Sequence, residues 1–119
     1  MTNNPLKDKS YSFAFRAIKL SRYLVDEKRE FVLSKPVLRS GTSIGANIEE
    51  AIQAQPKQDF IHKLSISQKE SFETHYWIRL LRDSDLISEK LGASLLDDCQ
   101  ELQKMLTASI KTAKANTTK

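Results

Sequence analysis

Two histidines, one cysteine and a pair of glutamates are the side chains whose types invite a chemical reading first. A carboxylate-bridged di-metal centre in a helical bundle needs two Glu-x-x-His motifs and two further glutamates. His75 has Phe72 three residues before it, so that motif fails, and His62 has Asp59 there, half a motif without its mate. Both histidines therefore read as structural or surface residues, and no metal is expected. Cys99 follows Asp97 and Asp98, whose charges raise a thiol pKa rather than lower it. It reads as a small core residue, and a lone cysteine excludes both an internal disulfide and a multi-cysteine zinc site. Gly41-Thr42-Ser43-Ile44-Gly45 lacks the lysine and spacing of a phosphate loop, and no strand precedes it. Glu70 and Glu73 share a helical face and could act as acid and base. Ion pairing with Arg39 is the competing reading and the one adopted, so no catalytic residue and no cofactor are assigned. Phe72, Tyr76 and Trp77 could stack on bases, with core or subunit contact as the alternative.

The basic residues pass this filter best. The chain has 19 Lys and Arg against 15 Asp and Glu, a net charge of +4, and the charge is unevenly placed. Residues 1–22 carry +4, residues 23–102 carry −4 and residues 103–119, with four lysines and no acid, carry +4. Lys9, Arg16 and Lys19 are spaced by seven and three, hence lie on one helix face, and Lys104, Lys111 and Lys114 repeat that spacing. With Arg22 they form the candidate set for contacts to nucleic-acid phosphates, against the alternative of an ordinary solvated face.

The elements that must position these residues follow from hydrophobic periodicity. Phe13, Ala17, Leu20 and Leu24 make the stripe of a first helix over about 10–25, with Ser10 as its expected N-cap. A second helix over about 34–55 has Pro36 in its first turn and the stripe Val37, Gly41, Ile44, Ile48 and Ile52. Pro56 ends it. A third helix over about 58–82 carries Phe60, Leu64, Ser67, Ser71, Thr74, Ile78 and Leu81. A fourth over about 88–114, capped by Ser88, carries Leu91, Leu95, Leu102, Leu106, Ile110 and Ala113. The expectation is an all-α, antiparallel up-and-down four-helix bundle in one domain spanning residues 1–119, with a basic flexible tail at 115–119. With the second turn centred near Pro56, Gly45 is expected to face Ser67, Gly41 to face Ser71, Arg39 to face Glu73, and Glu50 to face His62. The G-x-x-x-G spacing reads as close packing, with ligand-facing backbone as the alternative. Antiparallel neighbours then bring Lys9 and Arg16 close to Lys111 and Lys114 in one basic edge.

No apolar run reaches the ~20 residues that cross a bilayer, and Met1–Ser10 lacks the apolar region of a secretory signal. The expected setting is cytoplasmic, with no membrane partner. Thirty-nine per cent hydrophobic and 29% charged residues fit a globular chain, and three Gly with three Pro are too few turn formers for a many-stranded β fold.

Three stretches carry a resemblance. They are Arg39–Ala51, Asp59–Ile66, and the set Lys69-Glu70, Glu73-Thr74 and Tyr76–Leu81. Together they resemble the 23S rRNA intervening-sequence family of small bacterial four-helix-bundle proteins, over about residues 11–110. The chain is also similar to the accessory variability-determinant proteins of diversity-generating retroelements. The resemblance implies a homopentamer with basic surfaces for structured RNA or DNA, or for a partner protein such as a reverse transcriptase. It implies no catalytic residue and no cofactor. The family's shared positions fall here on Arg39, Gly41, Gly45, Asn47, Glu70, Glu73 and Trp77, and they imply structural roles. Gln68, where alanine or leucine is more typical, and the tail after Ile110 depart from the pattern.

Overall fold

The first helix starts five residues before its expected N-cap. In the computed structural model, which describes residues 4–116, α1 spans Pro5–Asp26. Asn4 caps it, its side chain accepting from the Lys7 N–H at 3.0 Å, and Pro5 occupies the first turn, where its missing N–H is harmless. Ser10 is not a cap. It is fully buried, its hydroxyl donates to the Lys7 carbonyl at 3.0 Å, and it faces Gly45. The remaining helices are α2 Ser34–Gln53, α3 Lys57–Asp83 and α4 Glu89–Asn116. Ser88 caps α4 as expected, its hydroxyl accepting from the Leu91 N–H at 3.0 Å. Ala115 and Asn116, assigned to a tail by periodicity, continue α4, and residues 117–119 lie outside the described residues.

The four helices form an antiparallel up-and-down bundle, 52 Å long and 27 by 20 Å across. Each packs on its neighbours in sequence, α4 closes back on α1, and the backbones of the diagonal pairs α1/α3 and α2/α4 do not approach closely. No strand occurs among the described residues. The core holds the anticipated stripes, with Leu24, Ile44, Ile48, Leu64, Ile78, Leu102 and Leu106 all within 1% of complete burial. Ile52 differs: it is the penultimate residue of α2 and is exposed.

The small residues of α2 divide between two neighbours. Gly41 and Gly45 face α1, where a Cβ on Gly41 would stand 2.7 Å from Ala17 Cβ and one on Gly45 would stand 3.3 Å from the Ser10 carbonyl oxygen. Ser40 and Ile44 face α3: Thr74 Oγ1 donates to Ser40 Oγ at 2.9 Å and Ser67 Oγ donates to the Ile44 carbonyl at 2.8 Å. The expected pairing of the glycines with Ser67 and Ser71 is therefore replaced by close approach to α1, while the serines satisfy α2 and α3 backbone. No buried side-chain N or O among the described residues is left without a partner.

Candidate nucleic-acid interface

The seven basic candidates do not form one edge. Lys9 lies on the side of α1 that meets α4 and pairs with Glu101 at 2.9 Å and Asp98 at 3.6 Å. Its pKa is raised, first by the hydrogen bond to Glu101. Arg16 pairs with Asp98 at 2.8 Å, and the same nitrogen reaches the Ser94 carbonyl at 3.4 Å. These two residues tie α1 to α4, and their charge is balanced on the spot. The register explains the departure from expectation. Lys9 is level with Glu101 and Arg16 with Ser94, so Lys111 and Lys114 overhang the start of α1 rather than flank it.

The other candidates are exposed in two groups. Lys19 and Arg22 stand near the end of α1. Lys19 and Arg16 rim a hollow of about 400 Å³ floored by Leu20, Leu91 and Leu95. Lys104, Lys111 and Lys114 are exposed on the last half of α4, and Lys114 stands in its last turn, where helix C-terminal polarity favours a cation. At ~1.5 Å per residue the level of Lys19 and that of Lys111 are about 30 Å apart, with the Asp98–Glu101 acids between them. One further base joins the α4 group. Lys57, in the first turn of α3, shares a shallow hollow of about 410 Å³ with Thr112 and Asn116. Pro56 and an antiparallel α4 were sufficient signals to place it there, and sequence analysis overlooked it.

Glu70 and Glu73 have a different use. Arg39 reaches Glu73 at 2.5 Å and Glu70 at 3.3 Å, as the register of α2 and α3 anticipated. The Trp77 indole N–H also donates to Glu73, at 3.0 Å. That bond first, and Arg39 second, hold the Glu73 carboxyl below its usual range, so it is a fixed anion at neutral pH rather than a proton donor. Glu50 pairs with Lys63 at 2.6 Å, not with His62, a one-residue correction to the expected register. Cys99 is fully buried, its thiol approaches the Ser71 carbonyl at 3.2 Å, and desolvation pushes its pKa up to about 12. His75 takes a hydrogen bond from Arg79 Nε at 3.1 Å and lies 3.3 Å from the Gln100 amide. Burial first, then Arg79 and Arg82, lower its pKa. Among the described residues no cluster of His, Cys, Asp and Glu is arranged to hold a metal ion, and no helix is long and apolar enough to cross a membrane.

A crystal structure of a protein of unknown function from the S23 ribosomal protein family of Bacteroides thetaiotaomicron VPI-5482 is 51% identical in sequence. The match covers 89% of this chain and 98% of that one, with a TM-score of 0.88. No curated protein matches. The sequence profile described as 23S rRNA-intervening sequence protein matches residues 2–108. The chain belongs to the 23S rRNA-intervening sequence protein family.

Proposed function

We propose that this is a non-enzymatic protein that assembles as a homopentamer and associates with structured nucleic acid through exposed bases of α1 and α4. The observation that carries the reading is the last half of α4. Lys104, Lys111 and Lys114 are exposed there, Lys57 lies alongside, and no acid follows Glu101. Lys19 and Arg22 offer a second patch on the same molecule. Lys9 and Arg16 support the bundle in this reading and contribute little to phosphate binding. Symmetric repetition would multiply a modest local field. Contacts of this kind position phosphates without reading bases.

The test is fluorescence anisotropy with a structured ribosomal RNA fragment and a matched duplex DNA over a salt series. Phosphate binding gives a linear fall of log affinity with log salt, with a slope of about 0.7–0.9 per phosphate contacted. Replacing Lys104, Lys111 and Lys114 with alanine flattens that slope by about two to three such contacts. Absence of binding at low salt overturns the reading. A second reading, a scaffold that docks a partner protein, draws support from the exposed aromatic rings of α1 and α3.

A further inference from the structure

One end of the bundle is not filled. Where α1 and α3 begin and α2 and α4 end, the helices leave a chamber of about 380 Å³. Its wall is apolar: Leu6 comes from α1, Ile48 and Ile52 from α2, Phe60 and Leu64 from α3 and Met105 from α4. Ile52, exposed although it belongs to the core stripe of α2, is part of this wall. The gap has a cause in the sequence. Near Phe60, α4 presents Ala108, Ser109, Thr112 and Ala113, spaced as one helix face, and none of these side chains is large enough to close the space. Protein cores are packed at crystal-like density, so an apolar space of this size is one a guest can enter.

Phe60, Ala108 and Ser109 also line the shallow hollow that holds Lys57, Thr112 and Asn116, so the two spaces adjoin through shared walls. Their characters differ. The chamber is apolar, whereas the hollow carries one cation, a hydroxyl and an amide. No acid lines either space. Asp59, two residues from Lys57, lines a separate hollow with Glu49, Glu50 and Lys63. Among the described residues Lys57 has no ion pair, and the hydroxyls of Ser109 and Thr112 make no hydrogen bond.

We infer that this end of the bundle binds an amphipathic carboxylate, a medium-chain fatty acid, one per chain, with its tail in the chamber and its carboxylate at Lys57. Size limits the tail. Ligand pockets run from about 300 to 1,000 Å³, and a chamber at the low end of that range takes one short acyl chain. Wall chemistry limits what enters. Water finds few partners in an apolar space, and a free phosphate or a nucleotide would lose its hydration there. Of the two polar residues on the wall, Asn4 is already engaged, its side chain accepting from the Lys7 N–H, which leaves the Ser109 hydroxyl. Charge selects the head. An unpaired lysine with no acid beside it in the hollow favours an anion, and its flexible stem follows a carboxylate to different depths.

The test is isothermal titration calorimetry of the full chain with sodium decanoate, kept below the concentration at which decanoate self-associates. One decanoate binds per chain. Octanoate, two methylenes shorter, binds about fifteenfold more weakly, at about fourfold per methylene. Decyltrimethylammonium, with the same tail and the opposite charge, binds more weakly than decanoate. Lys57→Ala weakens decanoate severalfold and leaves decanol unchanged. Ser109→Phe fills the chamber and abolishes binding of both. That variant keeps every exposed base, so nucleic-acid binding stays as in wild type and the two readings fail separately. No saturable heat up to millimolar decanoate, several decanoates per chain, equal affinity for the ammonium, or full affinity in Ser109→Phe overturns the inference. Affinity that falls as protein concentration rises assigns the chamber to a second copy, and binding seen only after removal of residues 1–3 assigns it to the chain's own start; either result also overturns it. Circular dichroism is the fold control. If Ser109→Phe loses its helical signal, Ala108→Phe, at an exposed position on the same wall, supplies the comparison.

Discussion

Adding one carbon to Gly41 tests the close approach of α1 and α2 directly. In an open helix, Gly→Ala is stabilising by about 1 kcal/mol through backbone entropy. Here the new Cβ would stand 2.7 Å from Ala17 Cβ, nearer than nonbonded carbons approach, and that atom belongs to a fixed helix rather than to a flexible side-chain end. Phe13 and Thr74 close the remaining directions at 3.9 Å. Overpacking of this kind costs about 1–3 kcal/mol, so Gly41→Ala is expected to be destabilising by up to about 2 kcal/mol after the helical gain. Gly92 supplies the control. A Cβ there would stand 3.0–3.1 Å from Arg82 Cβ, Cγ and Cδ, a milder crowding in which Cγ and Cδ can rotate but Cβ cannot, so Gly92→Ala is expected to fall near neutral and to lose less than Gly41→Ala. Urea denaturation at constant m-value reads both changes as midpoint shifts, with the larger loss at Gly41. Adding Ala17→Gly to Gly41→Ala removes the clash, so the double-mutant cycle shows favourable coupling of about 1 kcal/mol or more. Gly41→Leu, with three further atoms and nowhere to place them, is expected to lose more than Gly41→Ala. A Gly41→Ala protein as stable as wild type, with no coupling to Ala17, would refute the close-approach argument.

Three further outcomes follow from the titrating groups. Trp77 is the chain's single tryptophan and donates to Glu73, so its emission should change as Glu73 is protonated at pH values below the ordinary 4.5; Glu73→Gln removes that titration, and an unchanged curve counts against the bond. His75 has a folded pKa below its usual 6.5, so in the window beneath pH 6.5 the unfolded chain binds a proton that the folded chain does not. Stability therefore falls as pH drops from 6.5 through the folded value, and His75→Gln flattens that part of a melting-temperature profile; an identical slope in the variant contradicts the assignment. Cys99, with its buried thiol pushed up to about 12, should resist iodoacetamide at pH 8 in the native state and react at a rate set by unfolding, and rapid native labelling would show the core to be open there.

The residues also show how far the sequence was legible. Helix number, order and core stripes follow from a 3.6-residue period that burial obeys almost everywhere. Helix ends were less legible where two caps compete. Ser10 and Asn4 both suit an N-cap, and Pro5 after Asn4 decides for the earlier one. Contacts between α2 and α3 were readable because Pro56 fixes a tight turn: Arg39 meets Glu73 as expected, and Glu50 misses its expected partner by one residue.

Which neighbour a small face meets was not readable from spacing. Adjacent positions on α2 point to different helices, Ser40 to Thr74 of α3 and Gly41 to Ala17 of α1, and a glycine pair fits either surface. The basic edge failed for a related reason. Seven-and-three spacing places Lys9 and Arg16 on one face but is silent on what stands across from it. That depends on the register of α1 against α4, two helices joined only through the rest of the bundle. Once the register is set, Asp98 and Glu101 fall opposite Lys9 and Arg16, and the same acids that separate the two basic groups clasp α1 to α4. A basic residue count is therefore an upper bound on what this surface can offer an anion. The bases left outward, on the last half of α4 and near the end of α1, are the ones whose removal should be felt by a phosphate backbone.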